Sequence, residues 1–143
     1  MPAVTYDIAF EGYWRDVNVA SVKPVSGVYV VYSCTSRKAD GKTTVSLLGI
    51  IYIGQADDTC DRLQNHEKKA DWKRQLKSGE ELAYAVASVD GRSRDRVEAA
   101  FIRHHRPVCN TEYVSSFPFD RTTIRVTGER GLLAQTFTVD RAP

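Results

Sequence analysis

A tyrosine, an arginine and a histidine follow one another closely in the middle of this chain. Tyr52 lies in a β-branched run that ends at Gly54, and Arg62 and His66 come shortly afterwards, four residues apart. If residues 61–66 are helical, the last two side chains share one face of that helix. A phenol, a guanidinium and an imidazole on one patch suit phosphodiester chemistry better than they suit a hydrophobic core.

Phosphodiester hydrolysis needs an activated water, neutralisation of charge on the phosphate and help for the leaving oxygen. Arg62 offers a rigid fork of donors that matches a phosphate and stays protonated near neutrality. A single carboxylate with water completing the shell is consistent with the ligand preferences of Mg²⁺ or Mn²⁺. These residue types therefore suit a phosphate site.

Two strands and a helix start are needed to position these groups. The β-branched runs 28–32 and 47–53 predict two strands, so residues 28–53 form an antiparallel hairpin whose long connection is the polar stretch 33–46. The helix that carries Arg62 and His66 then begins at an aspartate, either Asp57 or Asp58.

Further elements follow from the same kind of pattern. Residues 94–105 carry an apolar stripe, follow Ser93 as a candidate cap, and end before Pro107, which predicts a helix. The remaining predictions are an edge strand or ordered arm at 4–14, a second helix or a kinked continuation of the first at 67–77, a third strand at 82–89, and a C-terminal hairpin of 122–126 and 135–139. This order predicts a single α+β domain over residues 1–143, with a small antiparallel sheet flanked by helices and an extra C-terminal β-hairpin.

The overall composition is that of an ordinary globular chain. The 143 residues are 42% hydrophobic and 27% charged, with a formal net charge of +2. That charge permits a nucleic-acid partner without arguing for one. Local clusters are more suggestive: five basic residues follow His66, and five more lie along or beside the 94–105 helix, although a solvated helix face is the alternative explanation for both.

The cysteines and the apolar runs indicate where the protein works. Cys34, Cys60 and Cys109 form no CxxC pattern, and an odd count without a secretory leader predicts reduced thiols in the cytoplasm. The longest apolar runs are strand-length and too short to cross a bilayer, so we expect no membrane partner. A zinc site built from His104, His105 and cysteines is rejected, because adjacent helical side chains point about 100° apart.

Two tripeptides give the chain a resemblance to a known family. Gly27-Val28-Tyr29 followed by Tyr52-Ile53-Gly54 resembles the paired signature of the GIY-YIG nuclease superfamily. The downstream landmarks fall in step, with Arg62 ten residues after Tyr52, His66 in an R-x-x-x-H position, Glu98 in a helix, and Pro107-Val108-Cys109-Asn110 matching a closing Pro-x-x-Asn. The resemblance covers residues 26–110 as a catalytic core and leaves 111–143 as a C-terminal hairpin extension.

The resemblance implies roles for six residues. Tyr29 is the implied general base, Arg62 the catalytic arginine and Glu98 the single metal ligand. His66 or Tyr52 would relay to Tyr29, and Asn110 would order the site or fix the arginine or a phosphate. Two departures are a GVY in place of GIY and a link from Tyr29 to Tyr52 that is closer to the longer links of restriction-type members. Whether Tyr29 or His66 takes the proton from water stays open at this point.

The resemblance also implies an activity and a partner. The expected function is a Mg²⁺- or Mn²⁺-dependent endonuclease that hydrolyses double-stranded DNA, restriction-like or phage-like, acting alone or as a homo-oligomer. The alternatives are a non-specific nuclease effector or toxin domain, and a nucleic-acid-binding module of the same fold that does not cleave. Each residue also has an ordinary explanation, as a strand tyrosine, a solvated helix face, a surface ion pair or a turn residue.

Overall fold

A six-stranded sheet with three short α-helices around it makes up the protein. The computed structural model describes residues 2–143. Its elements are β1 (Val4–Arg15), a 3₁₀ helix (Asp16–Ser21), β2 (Gly27–Ala39), β3 (Lys42–Ala56), α1 (Thr59–Gln64), α2 (Lys69–Lys73), β4 (Glu81–Ser88), α3 (Arg94–His105), β5 (Thr122–Gly128) and β6 (Thr136–Val139). The predicted α+β class is confirmed.

The sheet is mixed, so the prediction of an antiparallel sheet was wrong for one pair of strands. The strand order is β3-β2-β4-β1-β5-β6, and every neighbouring pair is antiparallel except β1 and β5, which run parallel from Val4↔Thr122 to Phe10↔Gly128. The C-terminal hairpin thereby joins the same sheet. β1 is an interior strand between β4 and β5, and not the predicted edge strand or arm.

The β2–β3 hairpin is confirmed, but its connection is much tighter than predicted. The strands pair from Gly27↔Ala56 to Ala39↔Lys42, with register shifts between Val31 and Tyr32 and between Ser33 and Cys34. Only two residues, Asp40 and Gly41, make the turn. Both have positive φ, +52° and +75°, the conformation that a two-residue turn needs between twisted strands. The polar stretch 33–46 is therefore strand and turn, since its threonines suit extended backbone.

The helices differ from their predictions at the ends. α1 ends at Gln64, so the prediction that His66 lies on the same helix as Arg62 was wrong, and His66 lies in the turn that follows. Asp58 caps α1, its carboxylate accepting a hydrogen bond from the Asp61 N–H at 3.0 Å. α2 is one short turn, much shorter than the predicted 67–77, because only Trp72 on it is buried. α3 has the predicted bounds, although the Ser93 side chain makes no capping bond there. Within residues 2–143, no helix is long and apolar enough to cross a membrane.

Both faces of the central strands β2 and β4 are buried, and this arrangement creates two hydrophobic cores. One core lies between the sheet and α3, where Val30, Tyr32 and Phe101 are fully covered. The other lies on the opposite face, where Tyr29 packs with Trp72 and Leu63 under α1 and α2. The candidate site is built on this second core, at the end of the β2–β3 hairpin furthest from its turn.

Candidate active site

Two glycines allow the first strand of the site to pack as closely as it does. A β-carbon on Gly27 would lie 1.9 Å from the Ala87 carbonyl oxygen of β4, and one on Gly54 would lie 2.3 Å from the Tyr29 hydroxyl oxygen. Neither approach is sterically possible with a side chain. The glycines of the two tripeptides therefore have a physical function: they bring β2 onto β4 and let the Tyr29 ring cover β3.

Tyr29 and His66 form a buried hydrogen-bonded pair. The Tyr29 hydroxyl oxygen lies 2.8 Å from His66 Nε2, and the two residues are 1% and 5% exposed. His66 Nδ1 accepts the backbone N–H of Lys68 at 3.1 Å. A neutral imidazole that accepts at Nδ1 carries its proton on Nε2, so His66 donates to the Tyr29 oxygen.

Aromatic rings fix the His66 imidazole in this orientation. The Trp72 ring lies 4.4 Å from it and the Tyr52 ring 5.5 Å, measured between centroids. Burial, together with the nearby positive charge of Arg62, lowers the pKa of His66 to about 4. The imidazole is therefore neutral at pH 7, so its 3.9 Å approach to the Glu67 carboxylate is not an ion pair under those conditions.

The phenol of Tyr29 is held in its protonated form. Burial raises its pKa well above that of a free phenol, and the neighbouring Tyr52 adds to the rise. The positive charge of Arg62 opposes both effects. A phenolate at Tyr29 would therefore be stabilised by the N–H of His66 and by the nearby charge of Arg62.

Arg62 lies at the surface and is held by a carboxylate. Its Nη1 and Nη2 donate to the two carboxylate oxygens of Glu67 at 2.7 and 2.9 Å, a bidentate pair in which the side chains are 39% and 63% exposed. This pair lowers the pKa of Glu67 to about 2. A phosphate presents oxygens of similar geometry, so the guanidinium is already oriented for the contact that the sequence predicted.

Glu98 reaches the same region from α3. Its carboxylate accepts a hydrogen bond of 3.3 Å from Gln55 Nε2, and Gln55 also donates to Asp95. Burial raises the pKa of Glu98 to about 7; the Gln55 contact opposes this, while the charges of Asp95 and Glu112 reinforce it. Along the part of the chain that the structure describes, no basic side chain forms an ion pair with Glu98.

The space in front of Glu98 fits the predicted cation. A cavity of about 190 Å³ is lined by polar side chains, including Tyr52, Lys68, Glu98 and Glu112. A half-buried carboxylate with acidic neighbours and no ion pair suits a hard cation, and Lys68 is the one basic residue that lines the same cavity. No group of three or more His, Cys, Asp or Glu side chains in residues 2–143 is arranged as a metal cage. Mg²⁺ or Mn²⁺ would therefore be held by Glu98 with water as the other ligands.

Asn110 acts on the backbone of the site. Its Oδ1 accepts the Ile53 N–H and its Nδ2 donates to the Ile53 carbonyl, both at 2.9 Å. The side chain thus makes with Ile53, between Tyr52 and Gly54, the pair of hydrogen bonds that a neighbouring strand would make. With both amide functions engaged there, Asn110 orders the strand and is not directed at Arg62.

Three contacts of the site were missed by sequence reasoning. These are the Glu67 carboxylate on Arg62, the Gln55 amide on Glu98, and the Trp72 ring against His66. In the sequence Glu67 directly follows His66, and Gln55 directly follows Gly54. This adjacency to motif residues was the signal that could have identified them as site residues.

The remaining histidines and cysteines lie away from this site. His104 is exposed and stacks on Phe137 at 4.3 Å between centroids, whereas His105 is half-buried and stacks on Phe101 at 6.4 Å. Cys34, Cys60 and Cys109 are free thiols. None of the three joins a histidine in a metal site among the described residues.

No family model, curated protein or solved structure matches this chain.

Proposed function

We propose that the protein is a divalent-metal-dependent endonuclease that hydrolyses DNA phosphodiester bonds. The observation that carries the proposal is that five functional groups lie together at one end of the β2–β3 hairpin. They are the phenols of Tyr29 and Tyr52, the Arg62 guanidinium, the neutral His66 imidazole and the Glu98 carboxylate, which has no ion pair. Each group acts electrostatically on at least one other. The resemblance in the sequence supports the same function.

In the proposed mechanism the Tyr29 phenol first releases its proton to solvent; the phenolate is then the general base that takes a proton from the attacking water, and His66 holds it in place. His66 Nε2 already carries a proton and Nδ1 already accepts one from Lys68, so the imidazole has no free lone pair for a water. The Tyr29 oxygen receives the His66 proton donor and the Arg62 cation, and both stabilise its anionic form. This arrangement favours Tyr29 over His66, the alternative that the sequence left open.

Arg62 and Glu98 would meet the substrate first, because they lie nearer the surface than Tyr29. A phosphate that displaces Glu67 gains the bidentate fork of Arg62. A divalent cation on Glu98 would add positive charge beside the scissile phosphate. Tyr52 has its ring against Tyr29 and borders the Glu98 cavity, so it separates the buried base from the solvent.

The deciding experiment is incubation of the purified protein with supercoiled plasmid and Mg²⁺, with and without chelator. We expect cleavage that chelator abolishes and that Glu98→Ala lowers by about 10²-fold or more. Glu129→Ala, an exposed acid far from the cavity, is the matched control and should cleave normally. Discrete bands would indicate a sequence-specific enzyme, whereas a smear under the same controls would indicate a non-specific nuclease.

Two outcomes would overturn the proposal. If neither Mg²⁺ nor Mn²⁺ supports cleavage of plasmid, linear DNA or RNA, the fold serves as a binding module. If Glu98→Ala cleaves as well as the wild type, the metal ligand has been assigned wrongly. The pH–rate profiles of Tyr29→Phe and His66→Ala identify the base, because only loss of the base should remove the limb of the profile that its titration produces.

A further inference from the structure

The β2–β3 hairpin extends well beyond the sheet to which it belongs. β4 pairs with β2 only as far as Cys34↔Glu81, whereas β2 and β3 continue to pair with each other from Thr35↔Ser46 to Ala39↔Lys42. All residues from 35 to 44 are exposed. We call residues 35–46 the ribbon. At about 3.3 Å per residue its strands project roughly 20 Å past Cys34.

The side chains of the ribbon are basic and polar. Arg37, Lys38 and Lys42 form no ion pair with any residue in 2–143, and Asp40 is the single acid. The other members are serine, threonine, alanine, glycine and the partly buried Val45. By contrast, the exposed arginines of β5 and its approach, Arg125 and Arg121, are both paired with aspartates. The ribbon thus carries cations that have no partner within the protein.

The basic side chains are distributed over both faces of the ribbon in a regular way. Side chains alternate along β2, and Tyr29 and Val31 belong to the core under α1 and α2. Arg37 continues that face, and Lys42 shares it as the register partner of Ala39. Lys38 lies on the opposite face. The ribbon therefore presents two cations on the side of the sheet that holds the Tyr29–His66 pair.

We propose that the ribbon enters the major groove of duplex DNA and that Arg37 and Lys42 bind the DNA that the active site cleaves. A two-stranded β-ribbon fits the major groove of B-form DNA, which is about 12 Å wide. Unpartnered lysine and arginine neutralise phosphates. A protein partner is disfavoured, since interface cores are depleted in lysine and need an apolar centre. This inference rests on the proposed function, whose substrate it specifies as a duplex.

The distance between the ribbon and the site fits this arrangement. Ten residues of β2 separate Tyr29 from Ala39, which is about 33 Å of extended strand. One turn of DNA is about 34 Å, so the groove that meets the site faces the protein again at the ribbon. The enzyme would thus contact one face of the duplex at two points one turn apart.

The experiment measures binding to a 20-bp DNA duplex and to an RNA duplex of the same sequence, by fluorescence anisotropy in chelator so that no cleavage occurs. We expect Arg37→Ala/Lys42→Ala to weaken DNA binding by about tenfold or more near 0.1 M salt and to lower the slope of log K against log salt by about 2. RNA binding should change less than threefold, because the major groove of A-form RNA does not admit side chains.

Arg121→Ala/Arg125→Ala is the matched control, since it removes the same charge from exposed positions at the other side of the sheet. It should bind both duplexes within about twofold of the wild type. Circular dichroism and sedimentation of each variant establish that the fold and the oligomeric state are unchanged.

Three results would overturn the inference. The first is that the ribbon variant binds DNA as tightly as the control, and the second is that it loses DNA and RNA affinity equally. The third is that it changes oligomeric state, which would make the ribbon a contact between copies of the chain. These failures are distinct from failure of the proposed function. If the protein cleaves DNA but the ribbon variant binds normally, only the assignment of the ribbon is wrong. If the protein binds DNA through the ribbon but never cleaves it, only the nuclease assignment is wrong.

Discussion

The hydroxyl group of Tyr29 lies directly over Gly54, its register partner in the adjacent strand. A β-carbon at Gly54 would lie 2.3 Å from the hydroxyl oxygen and 2.4 Å from Cζ of the same ring. Only a residue without a side chain leaves room for the ring in the position from which it meets His66. Gly54 of the second tripeptide therefore determines where the Tyr29 ring of the first tripeptide can lie.

Replacing Gly54 tests this steric dependence. We expect Gly54→Ala to displace the Tyr29 ring, to lower the cleavage rate by about 10²-fold, and to lower the free energy of unfolding by roughly 1–3 kcal/mol. Gly49→Ala in the same strand is the control, because its β-carbon would meet only the Ser33 hydroxyl at 3.4 Å. Cleavage assays and thermal unfolding measure both effects. Equal behaviour of the two variants would show that the ring position is not essential.

The buried neutral histidine should make the protein sensitive to acid. The pKa of His66 falls from 6.5 to about 4 on folding, so its neutral form stabilises the protein above pH 6.5, and that stability is lost as the pH falls through 4. The loss amounts to about 3 kcal/mol at most. His66→Asn, which keeps a donor for Tyr29, should lose less stability between pH 7 and pH 4 in urea unfolding. An NMR titration that placed the His66 pKa near 6.5 would contradict this expectation.

Glu98 should have the opposite pH dependence when no metal is present. Its pKa rises from 4.5 to about 7 on folding, so the stability it contributes is complete below pH 4.5 and is lost as the pH rises through 7. In chelator, the unfolding free energy of wild type minus that of Glu98→Gln should therefore fall by about 2–3 kcal/mol between pH 4.5 and pH 8. Taking the difference removes the contribution of the histidines.

Added Mg²⁺ provides the second half of that test. A cation on Glu98 favours the ionised carboxylate, so it should restore the stability of the wild type at pH 8 and leave Glu98→Gln unchanged. Equal stabilisation of both proteins by Mg²⁺ would place the cation elsewhere.

The Glu67 carboxylate occupies the donors of Arg62, so in the proposed function it would compete with a substrate phosphate. We expect Glu67→Gln to lower the KM for a DNA substrate several-fold with little change in kcat, because the guanidinium is then free to bind phosphate. Arg62→Lys should instead lower kcat/KM by about 10²-fold, since an ammonium cannot make the bidentate contact. Steady-state kinetics of the two variants separate the effects. A higher KM for Glu67→Gln would mean that the carboxylate positions Arg62 for the substrate.

The sequence predicted elements best where the pattern was local. α3 has its predicted bounds because an apolar stripe, a turn before it and a proline after it act within a few residues of each other. The parallel pairing of β1 with β5 was missed because it joins segments more than a hundred residues apart, and alternation on β1 cannot identify the partner strand. The ribbon was missed because serines, threonines and lysines are typical of both loops and exposed strands.

The same distinction applies to the site. The order and spacing of Tyr29, Tyr52, Arg62, His66 and Glu98 identified residues that the structure brings together at one end of the hairpin. The contacts between partners, such as Glu67 on Arg62, depend on the path of the chain after α1 and had no distinct pattern. The protonation of His66 depends on burial under Trp72, and sequence spacing carries no information about that burial.

Because β2 is buried on both faces, we expect Tyr29 on β2 to be less mobile than Arg62 on α1. Residues 28–34 are covered on both faces and paired with a strand on each side, so their amide protons exchange with solvent only when the whole domain unfolds. Arg62 belongs to a helix of six residues whose outer face is open, where local fraying is far less costly. We therefore expect Tyr29 to stay in place while Arg62 adjusts. If the protein is the proposed nuclease, its adjustment to a substrate would occur on the Arg62 side.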